Sequence, residues 1–338
     1  MRSLREYGIG AVRPPAADSS RWVTMRKLLK VPLISIATIA GLVAAGLATT
    51  SIVNAVASSS EASELQPYGQ LVDVDGKDMN VVISGSGAET IVLLPGQGTA
   101  APGLDFEPLV DELRDQYRVV VVEPFGYGLS DQTDVPRTSA NIAGEVHAAL
   151  QHLGIDRYVL AGHSIAGIYA LEYLERFRAE VTAFIGIDTS VPTQPGSDEP
   201  TPTDGVDTLK ALGILRLLTA IAPDPYEGLP YDADTKRQLA ILTNRNAMSP
   251  TLLDEIAHTP GNFQAARSQA FPADLPILMF VVGDDPELSN WVPLHEEQLA
   301  GVGRSELVRL DGGHYLHHTE ATVMGEDIKR FLADTPGD

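Results

Sequence analysis

The chain has 338 residues, 44% of them hydrophobic, and a mean hydropathy of +0.01, which suits one large globular domain with an insertion and excludes wholesale disorder. It contains no cysteine, so disulfides, thiolate metal sites and a cysteine nucleophile are all excluded. Net charge is −21, unevenly spread: residues 1–60 hold seven basic and two acidic side chains, leaving 17 basic and 43 acidic beyond them, an envelope that repels nucleic acid.

From Val31 to Ser60 there is no charged residue, and Val31–Ala57 is mostly Ile, Leu, Val, Ala, Gly and Thr. About 20 apolar residues cross ~30 Å of hydrocarbon, so residues 31–57 are expected to form a transmembrane helix. Arg21, Arg26, Lys27 and Lys30 precede it and a Ser-rich, then acidic, stretch follows. That asymmetry puts residues 1–30, a basic tail, in the cytoplasm and the rest of the chain outside. Cleavage after the small-x-small Ala55-Val56-Ala57, giving a secreted protein, is the alternative. Residues 58–68 read as a polar stalk.

Beyond the stalk, Gln70–Asp75 and Asn80–Ser84 read as a hairpin around Asp75-Gly76. Thr90–Leu94, Arg118–Val122 and Tyr158–Ala161 are continuous apolar runs of buried-strand length, as are Val181–Ile187, Pro276–Val282 and Glu306–Leu310. Helical spacing occupies Leu109–Leu113, Asn141–Leu153, Ile168–Phe177 and Asp327–Ala333. Strands apolar on both faces, alternating with helices, predict a mostly parallel, doubly wound α/β sheet. Between about 192 and 272 the alternation breaks into helical pieces, Leu209–Ala222, Ala233–Leu242 and Leu252–Ala257, which read as an inserted lid.

Ser164 lies in Gly162-His-Ser-Ile-Ala-Gly167, between the Tyr158–Ala161 strand and the following helix. A G-x-S-x-small turn there holds a serine on a strained bend at the carboxyl edge of the sheet; Ala166 replaces the commoner glycine. A free hydroxyl is a poor nucleophile at neutral pH and needs a base. His314, in the glycine-rich loop Leu310-Asp-Gly-Gly-His-Tyr315, is the candidate; His317 and His318 read as surface or site-wall residues, and His163 as local packing. Two preorganised N–H donors are expected from Ile165 and from Gln97 in Pro95-Gly-Gln-Gly98. No metal-ligand spacing, P-loop or dinucleotide fingerprint is present, so neither metal nor cofactor is expected.

Taken with Val122-Glu-Pro-Phe-Gly-Tyr-Gly-Leu-Ser-Asp131 and the Gly283-Asp-Asp region, these motifs resemble, in order and spacing, the α/β-hydrolase superfamily over residues 69–338 apart from the lid. The resemblance implies Ser164 as nucleophile, His314 as base, and Gln97 and Ile165 as oxyanion-hole donors. Pro95 stands where many members have His, and Glu123 where Asp is commoner. For the acid, the resemblance leaves two positions. Members often carry it after the seventh strand, where Asp284 and Asp285 fall just short of the usual spacing. Asp188, ending the Val181–Ile187 strand, looks like the sixth-strand acid of haloalkane dehalogenases and some lipases, and is preferred to Asp285. The expected reaction is hydrolysis of an ester, or an amide or thioester, of a small to medium, fairly apolar acyl substrate. A slow or degenerate ligand-binding module at the membrane is the reading from another class.

Overall fold

A computed structural model describes residues 19–283 and 290–334, with side chains at Ile36 and from Thr38 onward, so residues 1–18 of the tail expected over 1–30 lie outside the described residues. Helix α1 spans Ser19–Glu64 as one element. It runs through most of the segment expected as a stalk, and Gln66 N–H donates to Gln238 Oε1 immediately after it. Within α1, Thr38–Glu64 is long and apolar enough to cross a membrane by length and composition, with a hydropathy of 1.8.

The sheet follows. Strands β1 (Gln70–Val74) and β2 (Lys77–Ser84) form the expected antiparallel hairpin. Strand β3 (Thr90–Leu94) leads to helices α2 (Pro102–Asp105) and α3 (Glu107–Leu113), then strand β4 (Arg118–Glu123). Helix α4 (Ser139–His152) starts where Thr138 accepts the Asn141 N–H. Strand β5 (Tyr158–His163), helix α5 (Ala166–Phe177) and strand β6 (Val181–Ile187) complete the centre. After the lid come strand β7 (Ile277–Val282), helix α10 (Trp291–Leu299), strand β8 (Ser305–Leu310), and helices α11 (Leu316–Thr319) and α12 (Ala321–Ala333). The eight strands are ordered β1-β2-β4-β3-β5-β6-β7-β8. Pairing is antiparallel at β1/β2 and β2/β4 and parallel elsewhere.

Because side chains alternate across a strand, each central strand feeds two cores. Val92, Val120 and Leu160 face Ile142, Val146 and Leu171 of α4 and α5. Their neighbours Ile91, Val121 and Val159 face Leu109 and Leu113 of α3 and Ile328 and Phe331 of α12. Full burial of both faces explains why these runs carry no polar alternation.

The insertion between β6 and β7 holds helices α6 (Val206–Ala211), α7 (Ile214–Ile221), α8 (Ala233–Asn246) and α9 (Pro250–Ala266), and no strand among the described residues. The expected single helix over Leu209–Ala222 is broken at Gly213, whose φ of 73° lies in the left-handed region.

Candidate active site

Parallel strands end in loops at one edge of the sheet, and in open α/β sheets that edge is where ligands sit. Here β5 delivers Ser164, its neighbour β6 delivers Asp188, and the loop after β8 brings His314 back to both. Ser164 has φ 55° and Asp188 φ 43°, left-handed conformations that non-glycine residues adopt at a cost. Two hydrogen bonds brace the Ser164 bend: its N–H donates to Ile187 O, and its carbonyl accepts the Ser190 N–H at 2.8 Å. A Cβ on Gly162 would stand 2.9 Å from the Cβ of Ala166, so the glycine before the serine makes room for the alanine after it.

The three side chains form one line. Asp188 Oδ2 is 2.6 Å from His314 Nδ1, and His314 Nε2 is 2.8 Å from Ser164 Oγ. Asp188 is 2% exposed, and its other oxygen, Oδ1, accepts the Trp291 indole N–H at 2.7 Å and the Val282 N–H at 3.0 Å. Burial pushes its pKa up, but the bonds from His314, Trp291 and Val282 outweigh that and hold the carboxyl below its usual range. An ionised carboxylate only accepts, so His314 Nδ1 carries the proton and Nε2 is left to accept from the Ser164 hydroxyl. Asp285, the alternative acid, lies outside the described residues, as does Asp284.

The Pro95–Gly98 loop passes directly against the serine turn. A Cβ on Gly96 would lie 2.6 Å from His163 Nδ1 and 3.0 Å from Ser164 Cβ, a space only glycine leaves free. Beside it, the Gln97 side chain donates to Thr259 Oγ1 on α9 at 2.9 Å, tying this loop to the lid. Ile165 is buried where the turn passes into α5.

Behind the site lies a cluster of imidazoles. His163 is buried, and burial, then the neighbouring His317 and His314, hold its pKa well below the ordinary value. As a neutral ring it donates from Nε2 to the His314 carbonyl at 3.0 Å, pinning the loop that carries His314. His317 and His318, expected at the surface or site wall, are instead buried in α11, with Nε2 atoms 2.8 and 3.0 Å from the two oxygens of Asp105. Burial raises the Asp105 pKa, but hydrogen bonds from both rings reverse this and hold it well below the usual carboxylate range. The ligand atoms of Asp105, His317 and His318 lie within 4.8 Å of one another, but those facing atoms are already spent on hydrogen bonds. Glu123 is buried and accepts from Asn80 Nδ2, Tyr68 Oη and the N–H groups of Gly103 and Leu129, bracing the loops after β3 and β4.

Three of these residues carried no signal in the sequence. Trp291, Asp105 and the lid's Thr259 reach the site from distant segments through side chains with no recognisable spacing. His163 was visible only as a neighbour of Ser164.

Residues 91–324 match the alpha/beta hydrolase family. The chain belongs to that family. Among its relatives, the uncharacterized protein YbdG of Bacillus subtilis (strain 168) is 34% identical over 199 residues, 59% of either chain. The match thus spans less than two thirds of that relative. A 2-hydroxy-6-oxononadienedioate/2-hydroxy-6-oxononatrienedioate hydrolase of Cupriavidus pinatubonensis (strain JMP 134 / LMG 1197) is 31% identical over 269 residues, covering 74% of this chain and 89% of its own. Among solved structures, a membrane phospholipase A described as a bacterial virulence factor superimposes with a TM-score of 0.55 at 19% identity, covering 92% of this chain and 99% of its own. At that identity the likeness is one of fold.

Proposed function

We propose that this alpha/beta hydrolase is a serine hydrolase working through an acyl-Ser164 intermediate. The observation that carries the reading is the continuous line Asp188–His314–Ser164, with the serine on a left-handed bend at the carboxyl edge of the sheet. Ser164 Oγ attacks the acyl carbonyl carbon while its proton passes to His314 Nε2. The tetrahedral oxyanion takes hydrogen bonds from the Ile165 and Gln97 N–H groups. As it collapses, the bond to the leaving group breaks and the imidazolium returns the proton to that group. Water then attacks the acyl-serine as His314 takes its proton; on collapse the bond to Ser164 Oγ breaks, the imidazolium returns the proton to that oxygen, and the free acid leaves. Asp188 stays ionised throughout, orienting the ring and stabilising the imidazolium.

The substrate proposed is an ester of a small to medium, fairly apolar acid, admitted beneath the helical lid. The hydrolase relative supports hydrolysis as the reaction class. The apolar stretch of α1 is proposed as a single-pass anchor through residues 31–57 that holds the catalytic domain on the extracytoplasmic side. Hydrolysis of a p-nitrophenyl butyrate series tests the chemistry. Wild type should turn over and Ser164→Ala should fall to the uncatalysed rate; equal turnover by both would overturn the assignment.

A further inference from the structure

The lid carries an apolar face turned to solvent. Helix α7 reads Ile-Leu-Arg-Leu-Leu-Thr-Ala-Ile, and Leu217, Leu218 and Ile221 are 48%, 54% and 73% exposed. With Leu209 of α6 they make four of the eight large exposed hydrophobics among the described residues beyond Glu64, gathered within 13 positions. A cluster of that kind on an otherwise acidic domain marks an interaction surface.

Its position along α1 identifies the partner. The α6–α7 corner is packed on α1: a Cβ on Gly213 would stand 2.5 Å from Thr50 O and 2.8 Å from Asn54 Cβ. Asn54 Nδ2 donates to Lys210 O, and Arg216 donates to Asn54 Oδ1, Ser58 Oγ and both oxygens of Glu61. Arg216 is thus turned toward α1, leaving the leucines facing away. Thr50 stands seven residues before the end of the apolar run at Ala57, about 10 Å along the helix. The whole run is about 40 Å long against ~30 Å of hydrocarbon, and because the lid packs on α1 from Thr50 onward the surplus of ~10 Å falls at the domain end, level with the headgroups. An amphipathic helix held at that level has its apolar side at acyl-chain depth.

We propose that the Leu217/Leu218/Ile221 face of α7 rests on the lipid surface of the membrane that α1 enters, fixing the lid at the bilayer. The inference rests on the anchor reading of α1. Since the domain is strongly acidic, the fitting surface is zwitterionic rather than anionic lipid.

The absence of native cysteine allows single-site labelling of the full chain. Leu218→Cys, Ile221→Cys, Ile39→Cys within α1 and Val323→Cys on α12 are each labelled with an environment-sensitive fluorophore and reconstituted in phosphatidylcholine vesicles. The labels at 218 and 221 should emit to the blue of that at 323 and be quenched at least about twofold more strongly by brominated phosphatidylcholine. Quenching at 39 with 218 and 221 behaving like 323 overturns the proposal and leaves the anchor standing. No quenching at 39 overturns both. A blue shift at 218 and 221 without lipid quenching points to contact between copies of the chain and equally overturns it.

Discussion

Asp188 divides its two oxygens among three partners: Oδ2 faces His314 Nδ1 at 2.6 Å, while Oδ1 takes the Trp291 indole and the Val282 amide. Asparagine at 188 would either turn its N–H₂ toward His314 and favour the wrong tautomer, or keep its oxygen there and set the N–H₂ against the Trp291 and Val282 donors. Asp188→Asn should lower kcat/KM by about 10³–10⁴-fold without unfolding the protein. Steady-state kinetics on a p-nitrophenyl ester, with circular dichroism as control, checks this.

With His314 Nδ1 already engaged by Asp188, Asp285 has no vacancy to fill. Asp285→Asn should leave kcat/KM within about threefold of wild type. A loss as large as that of Asp188→Asn would reassign the acid.

Trp291 acts on the chemistry through Asp188. Trp291→Phe keeps the ring and deletes the donor, leaving a buried carboxylate oxygen with one partner fewer. A hydrogen bond to a charged group contributes about 1.5–3 kcal/mol, so kcat should fall by roughly 10- to 100-fold with KM little changed. A rise in KM alone would instead place Trp291 at the substrate.

The approach of the Pro95–Gly98 loop to Ser164 leaves no room for a side chain at 96. Gly96→Ala would drive a Cβ to within 2.6 Å of His163 Nδ1, so the loop must move. The displaced Gln97 N–H should cost on the order of 10²-fold in kcat. Unchanged kcat would remove Gln97 from the oxyanion hole.

The chain showed its local features well and its distant ones poorly. The β5 run, the Ser164 turn and the glycines before His314 are contiguous, so their geometry follows from neighbouring residue types. Asp188 could be seen only as one of two acids, because its left-handed backbone and its link to Trp291, 103 residues away, have no sequence signature. His317 and His318 look like solvent-facing polar residues until α2 brings Asp105 against them. Ser58–Ser60 has poor helix formers and reads as a stalk. Glu61 and Glu64, paired with Arg216 and Arg237 of the lid, continue α1 through it.

His163 gives the fold a pH dependence of known sign. Its pKa lies well below 6.5 when folded, so as pH falls below about 6.5 the unfolded chain gains a proton that the folded chain does not. The stability it contributes is complete above that pH and declines toward the folded value. Below about pH 6.5 the wild type should therefore lose stability more steeply than His163→Asn as pH falls. Urea unfolding at pH 7, 6 and 5 measures the difference, and parallel pH profiles would contradict it.

Covalent capture shows whether Ser164 is an activated nucleophile. The full chain is treated with a fluorophosphonate and the modified residue located by peptide mass spectrometry. A single stoichiometric adduct on Ser164 is expected, lost in Ser164→Ala and strongly slowed in Asp188→Asn. A folded wild-type protein that takes up no label, or an adduct at another residue that persists in Ser164→Ala, would contradict it.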